Sequence, residues 1–193
     1  MNKTLIGLSG EMGSGKGTIA HYLVDRYGFA KFRMSDMLRD IVDRLHVEQS
    51  RENISKTSKM IRDTFGEDIM SRVVAQDAQK ATTHVVIDGI RRMEDIEHLQ
   101  HLENFVLVYI EVDERVRYER LILRNENKGD AEKTFEEFQK EQQMEADSRI
   151  TELRDRADIV INNDGDITKL YSRVDSLINN TEEKSGLGVI KNI

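Results

Sequence analysis

The chain has 193 residues, enough for one domain with a real core, and carries a formal net charge of −7 on 38% apolar and 34% charged residues. Its acidic balance argues against a nucleic-acid partner, and its lack of cysteine excludes disulfides and thiolate metal sites. No run of about 18 apolar residues occurs, so no transmembrane helix is expected.

The first apolar run is TLIGLS (4–9). It is too short for a signal peptide and reads as the first strand of a cytoplasmic protein. Residues 7–18 follow as GLSGEMGSGKGT, in which Gly10, Gly15 and Lys16 fit G-x-x-x-x-G-K. Glycine is entropically expensive and packs nothing, so its density here needs a reason. A loop between a strand and a helix supplies one. Successive backbone N–H groups of Gly10, Glu11, Met12, Gly13, Ser14, Gly15, Lys16, Gly17 and Thr18 would cradle phosphate oxygens, and a side chain on the glycines would keep the phosphate away. The helix N-terminus adds positive partial charge, and Lys16 would bridge the terminal phosphates. Ile19, Leu23 and Tyr27 give the next segment helical spacing.

FAKFRM (29–34) is the second strand, followed by Ser35-Asp36 and a helical pattern of Met37, Leu38, Ile41, Val42 and Leu45. Ile54, Met60, Ile61, Phe65, Ile69, Val73 and Val74 predict two more helices. HVVID (84–88) is the third strand and ends on Asp88-Gly89-Ile90-Arg91. A carboxylate ending a buried strand needs a partner. Facing the phosphate loop, Asp88 can orient Mg²⁺ through water, Gly89 permits close backbone approach, and Arg91 or Arg92 can grip an acceptor phosphate, with Arg91 preferred. FVLVYIEV (105–112) is the fourth strand, and Val116, Leu121 and Leu123 mark a helix after it. Arg120 and Arg124 lie four apart on one face of that helix. ADIVIN (157–162) is the fifth strand, before a helix carrying Ile167, Leu170, Val174 and Leu177. Strands alternating with helices predict a parallel sheet covered on both faces, with ligands at the carboxyl ends of the strands.

The string from Gly10 to Thr18, with Gly17 where serine or threonine is commoner, resembles the loop of adenylate kinase and related P-loop nucleoside monophosphate kinases. The resemblance implies that Thr18 contacts a phosphate, that ATP is the donor and that Mg²⁺ is held mostly by phosphates and water. Ser35-Asp36-Met37-Leu38-Arg39 resembles that family's S/T-G-D-M-L-R, without its glycine, which implies that Ser35, Asp36 and Arg39 bind the acceptor. Asp88-Gly89-Ile90-Arg91 resembles its D-G-F-P-R, one residue short. ERLILR (119–124) resembles the segment that opens the kinase lid, which implies that Arg120 and Arg124 steady the transferred phosphoryl group. Farther on, Lys140 and Arg149 are the available cations. VVIDGIR, FVLV followed by R-x-E-R-L, EEF and A-D-x-x-I-x-N resemble a group of dephospho-coenzyme A kinase-like proteins best known from archaea.

The expected architecture is α/β: a P-loop NTPase domain over residues 1–180 with a five-stranded parallel sheet of order 2-3-1-4-5. A helical acceptor-binding insertion at about 37–83, a lid at about 125–135 and a tail at 181–193 complete it. The expected activity is transfer of the ATP γ-phosphate to a nucleoside or deoxynucleoside monophosphate, with small-molecule nucleotides as partners and neither nucleic acid nor membrane expected. Dephospho-coenzyme A kinase is the alternative, with Asp36 as base for a hydroxyl acceptor. A non-kinase P-loop ATPase is the second. Gly89 stands where such ATPases carry a water-activating glutamate. Asn127-Lys128-Gly129-Asp130 spells a guanine-reading motif, but it follows an amphipathic segment instead of a buried strand.

Overall fold

The computed structural model describes residues 3–124, 132–144 and 149–183. Five strands form one parallel sheet: β1 (Leu5–Ser9), β2 (Ala30–Arg33), β3 (Val85–Asp88), β4 (Phe105–Glu111) and β5 (Ile159–Asn162). The alternation of apolar runs and helical segments predicts the parallel sheet, and its order is the expected β2-β3-β1-β4-β5. The register sets Leu5 beside both Val85 and Phe105, so β1 lies between its two neighbours with the phosphate loop at its carboxyl end.

The period-2 geometry of a strand sends alternate side chains to opposite faces, and both faces are apolar. On one face Leu5, Val85, Ile87, Leu107 and Tyr109 pack with Leu38 of α2 (Asp36–Arg44) and with Met70, Val74 and Ala78 of α4 (Ile69–Lys80). On the other, Ile6, Leu8, Val86, Val108 and Ile110 pack with Ile19 and Leu23 of α1 (Lys16–Tyr27) and with Leu170, Val174 and Leu177 of α8 (Ile167–Glu183). Each such side chain taken fully out of water contributes about 1.5–3 kcal/mol. The sheet is therefore the rigid platform from which the loops at its carboxyl edge are held. No helix among the described residues is long and apolar enough to cross a membrane.

Helix α3 (Arg51–Phe65) stands between α2 and α4, and Ser50 caps it by accepting from the Asn53 N–H at 3.2 Å. Two features of this region differ from its apolar spacing. Met60 and Phe65 are exposed, because the sheet's face is already covered by α2 and α4. Leu123 of α5 (Glu114–Arg124) is 85% exposed, since it lies roughly 200° around the helix from buried Leu121. Between α5 and β5 come two helices that the apolar spacing does not announce: α6 (Phe135–Met144) and α7 (Glu152–Arg156). Thr134 and Glu137 form a reciprocal cap at the start of α6, with bonds of 2.8 and 3.2 Å. The segment expected as a lid thus gives way to helix at Phe135, and its residues 125–131, including the Asn127–Asp130 motif, lie outside the described residues. Helix α8 carries the chain beyond residue 180, and the tail residues Leu187, Val189 and Ile190 also lie outside them.

Candidate active site

The chain leaves β1 at Ser9 and enters α1 at Lys16 through the glycine-rich loop. Gly15 stands at the helix N-cap with φ 99° and Gly13 has φ 79°, conformations that side chains rarely adopt. A Cβ on Gly13 would come within 3.0 Å of the Arg117 carbonyl oxygen, and one on Gly15 within 2.5 Å of Asn163 Nδ2. The loop is thus pressed between α5 and the turn after β5. Asn163, itself buried, donates from Nδ2 to the Ser14 carbonyl at 2.8 Å. The Ser14 N–H bonds the Glu11 carbonyl at 3.2 Å. The Lys16 ammonium donates to the carbonyls of Gly10 and Glu11, which draws it back over the loop.

A cavity of about 600 Å³ opens beside this loop. Gly10, Met12, Gly13, Ser14, Gly15, Lys16, Gly17 and Thr18 line it, together with Asp88, Arg91, Arg120 and Arg124. Asp88 ends β3 and meets Lys31 of β2, whose ammonium lies 3.7 Å from Oδ2. After β3 the turn is fixed by buried Asp95, whose Oδ2 accepts from the N–H groups of Arg91 and Arg92 at 3.0 and 3.2 Å. That turn sends the two arginines different ways. Arg91 lines the cavity, whereas Arg92 bonds Glu67 Oε2 at 2.6 Å. Arg120 donates to the carbonyls of Asn163 and Gly165 at 2.7 and 3.3 Å, beside the turn that follows β5.

The other predicted site residues stand outside the cavity lining. Ser35 precedes α2, and Asp36 accepts from the Arg33 N–H at 2.8 Å. Arg39 donates to Gln49 Oε1 at 2.9 Å. Gly89 lies in the turn after β3 with φ 91°. The side chain of Glu11 turns behind the loop to Arg117, 3.0 Å away. Arg149 pairs with Glu94 at 3.2 Å and Glu152 at 3.5 Å, and Lys140 lies on α6.

Among the described residues no group of three or more His, Asp or Glu side chains could hold a metal ion. Asp88 is the single carboxylate lining the cavity, and Thr18 lines it as well. Such a donor set fits Mg²⁺, a cation that dehydrates reluctantly and takes most of its ligands from phosphates and water.

A family model described as an AAA domain matches residues 9–139, from the end of β1 into α6. The chain belongs to this family. Within it the chain is a P-loop kinase-like domain. It is 26% identical over 165 residues to a UPF0200 protein of Staphylothermus marinus, covering 86% of each chain. It is 29% identical over 161 residues to a UPF0200 protein of Sulfurisphaera tokodaii, covering 83% of this chain and 87% of the relative. In fold it is similar to the shikimate kinase of Bacteroides thetaiotaomicron, with a TM-score of 0.62 at 17% identity over 93% of this chain and 98% of that one. At that identity the likeness is one of fold.

Three residues of the site are missing from the sequence-level prediction: Arg117, Asn163 and Lys31. Arg117 had a signal. It lies four residues before buried Leu121, one helical turn away, so it faces inward and must find a partner there. Asn163 had one too, as the last residue of the A-D-x-x-I-x-N pattern, though nothing local pointed to Ser14 as its partner; Lys31 had none, since Asp88 is remote in sequence.

Proposed function

We propose that the protein moves the γ-phosphate of ATP to a nucleoside or deoxynucleoside monophosphate. The observation that carries this reading is one cavity lined by the phosphate loop apart from Glu11, by one carboxylate, by Arg91 after β3 and by Arg120 and Arg124 of α5. Phosphoryl transfer asks little covalent chemistry of a protein and much positioning and positive charge. The loop's N–H groups and the N-terminus of α1 would hold the donor phosphates. Lys16 would leave its carbonyl partners for the terminal phosphates. Arg120 and Arg124 would meet charge on the transferred group, and Arg91 would grip the acceptor phosphate with paired donors. Thr18 would contact a phosphate, and Asp88 would hold through water a magnesium ion, which would supply positive charge to the transfer. Gly89 after Asp88 provides no side chain to activate water, which favours transfer over hydrolysis.

A second reading rests on a specific observation. Of the arginines in the two acceptor motifs, Arg91 lines the cavity, whereas Arg39 bonds Gln49 and Arg92 bonds Glu67 outside its lining. A hydroxyl acceptor such as dephospho-coenzyme A, with Asp36 as base, needs fewer arginines. ADP release measured against ribo- and deoxyribonucleoside monophosphates and dephospho-coenzyme A decides between the two. The first reading predicts turnover with a monophosphate and none with dephospho-coenzyme A; the reverse result selects the second.

A further inference from the structure

We propose that Arg117 is a positioning residue that sets the shape of the phosphate loop and ties it to α6. The inference deepens the proposed function and rests on the loop's holding ATP. Arg117 is 3% exposed, and among the described residues every hydrogen-bond partner of its guanidinium belongs either to the loop or to α6. Nη2 donates to Glu11 Oε1 at 3.0 Å. Nη1 donates to Gln142 Oε1 at 2.9 Å and approaches the Met12 carbonyl at 3.4 Å. The cation lies 5.6 Å over the Phe138 ring of α6. Its own main chain presses on Gly13.

Charge explains why the two ends come as a pair. A carboxylate in a phosphate loop repels the ligand the loop is shaped for, and a buried guanidinium without an anion is costly. Glu11 and Arg117 cancel each other behind the loop, so that the loop faces the cavity with its N–H groups and Lys16. The fork fixes two successive loop residues, Glu11 by its side chain and Met12 by its carbonyl, before nucleotide arrives. Such preorganisation removes an ordering cost from binding.

The far end of the link is equally built. α6 docks on α5 through Phe138, which is 1% exposed, with Tyr118 Oη donating to the Lys133 carbonyl at 2.8 Å and Gln139 to Glu114 at 2.9 Å. The chain Glu11–Arg117–Gln142 therefore joins the phosphate loop to the helix that follows the 125–131 segment.

The test is the affinity of the full-length protein for a non-hydrolysable ATP analogue, measured by calorimetry on wild type, Arg117→Lys, Glu11→Gln and the double variant. Lysine keeps the charge and loses the fork; Glu11→Gln alters a partly exposed partner, so it keeps the test valid if Arg117→Lys does not fold. Arg117→Lys is expected to weaken binding about 10-fold, within the range of coupled networks, and the double variant to be no weaker than the worse single one. ATP KM should rise with acceptor KM unchanged. Folded variants that bind like wild type, or singles whose effects simply multiply, would overturn the proposal. A wild type that binds the analogue yet phosphorylates no acceptor would defeat the kinase reading alone, because the affinities still judge Arg117. A wild type that binds no analogue would defeat both.

Discussion

Gly15→Ala and Gly17→Ala place the same methyl group two residues apart and should have opposite effects. At Gly15 the backbone is left-handed, with φ 99°, which costs an L-residue about 1–2 kcal/mol. The new Cβ would also lie 2.5 Å from Asn163 Nδ2. Asn163 is 5% exposed and must move, breaking its 2.8 Å bond to the Ser14 carbonyl at a further cost of about 1–3 kcal/mol. The combined loss is about 3 kcal/mol, and for a domain of this size the midpoint falls by about 6–12 °C. Gly17 lies within α1 and has nothing within 4 Å of its Cβ position. There alanine removes unfolded-state freedom and stabilises by about 0.5–1 kcal/mol, raising the midpoint by about 1–4 °C. Scanning calorimetry of both variants is the assay. Equal shifts, or a Gly15→Ala midpoint within about 2 °C of wild type, would refute the packing argument.

Arg91→Ala and Arg92→Ala should differ in their effect on acceptor binding. Arg91 lines the cavity, so its loss raises acceptor KM by about 10-fold or more while ATP KM stays near wild type, given the strength of charge-assisted bonds. Arg92 bonds Glu67 and sits 3.6 Å from buried Asp95, so its loss lowers stability by about 1–3 kcal/mol and leaves both KM values near wild type. Steady-state kinetics and calorimetry on both variants check the pair, and a KM effect at Arg92 would contradict it. Stability should also fall on the acid side. The His98 hydrogen bond holds Asp68 below the ordinary carboxylate range, and the Asp113 N–H does the same for Asp164. Groups whose folded pKa is depressed contribute stability above their unfolded value, about 3.9, and lose it as pH falls through the folded one. Chemical denaturation between pH 6 and 2 should show that loss, and Asp68→Asn should flatten it.

The strands were legible because a sheet covered on both faces demands dense Val and Ile, as in VVID and FVLVYIE. The loop was legible because its glycines and Lys16 satisfy a local backbone requirement. Helix α6 was not, since FEEFQKEQQM offers only Phe135 and Phe138 at helical spacing near its start, and Phe138 packs on α5 away from the sheet. The same limit hid the loop's supports. Glu11 and Arg117 lie 106 positions apart, and Ser14 and Asn163 lie 149 apart. Periodicity reports which face of an element is buried, not which polar group waits for it there. Gly17, which pointed away from the commoner loops with serine or threonine, stands in open space on the cavity wall.

The most direct test of phosphotransfer is the fate of the γ-phosphate. With ATP labelled at that position, mass analysis of the acceptor should find one added phosphoryl group per ADP formed, and Lys16→Ala should form neither product while keeping its fold. Label recovered as inorganic phosphate at the same rate with and without every acceptor, or transfer undiminished in Lys16→Ala, would contradict the account.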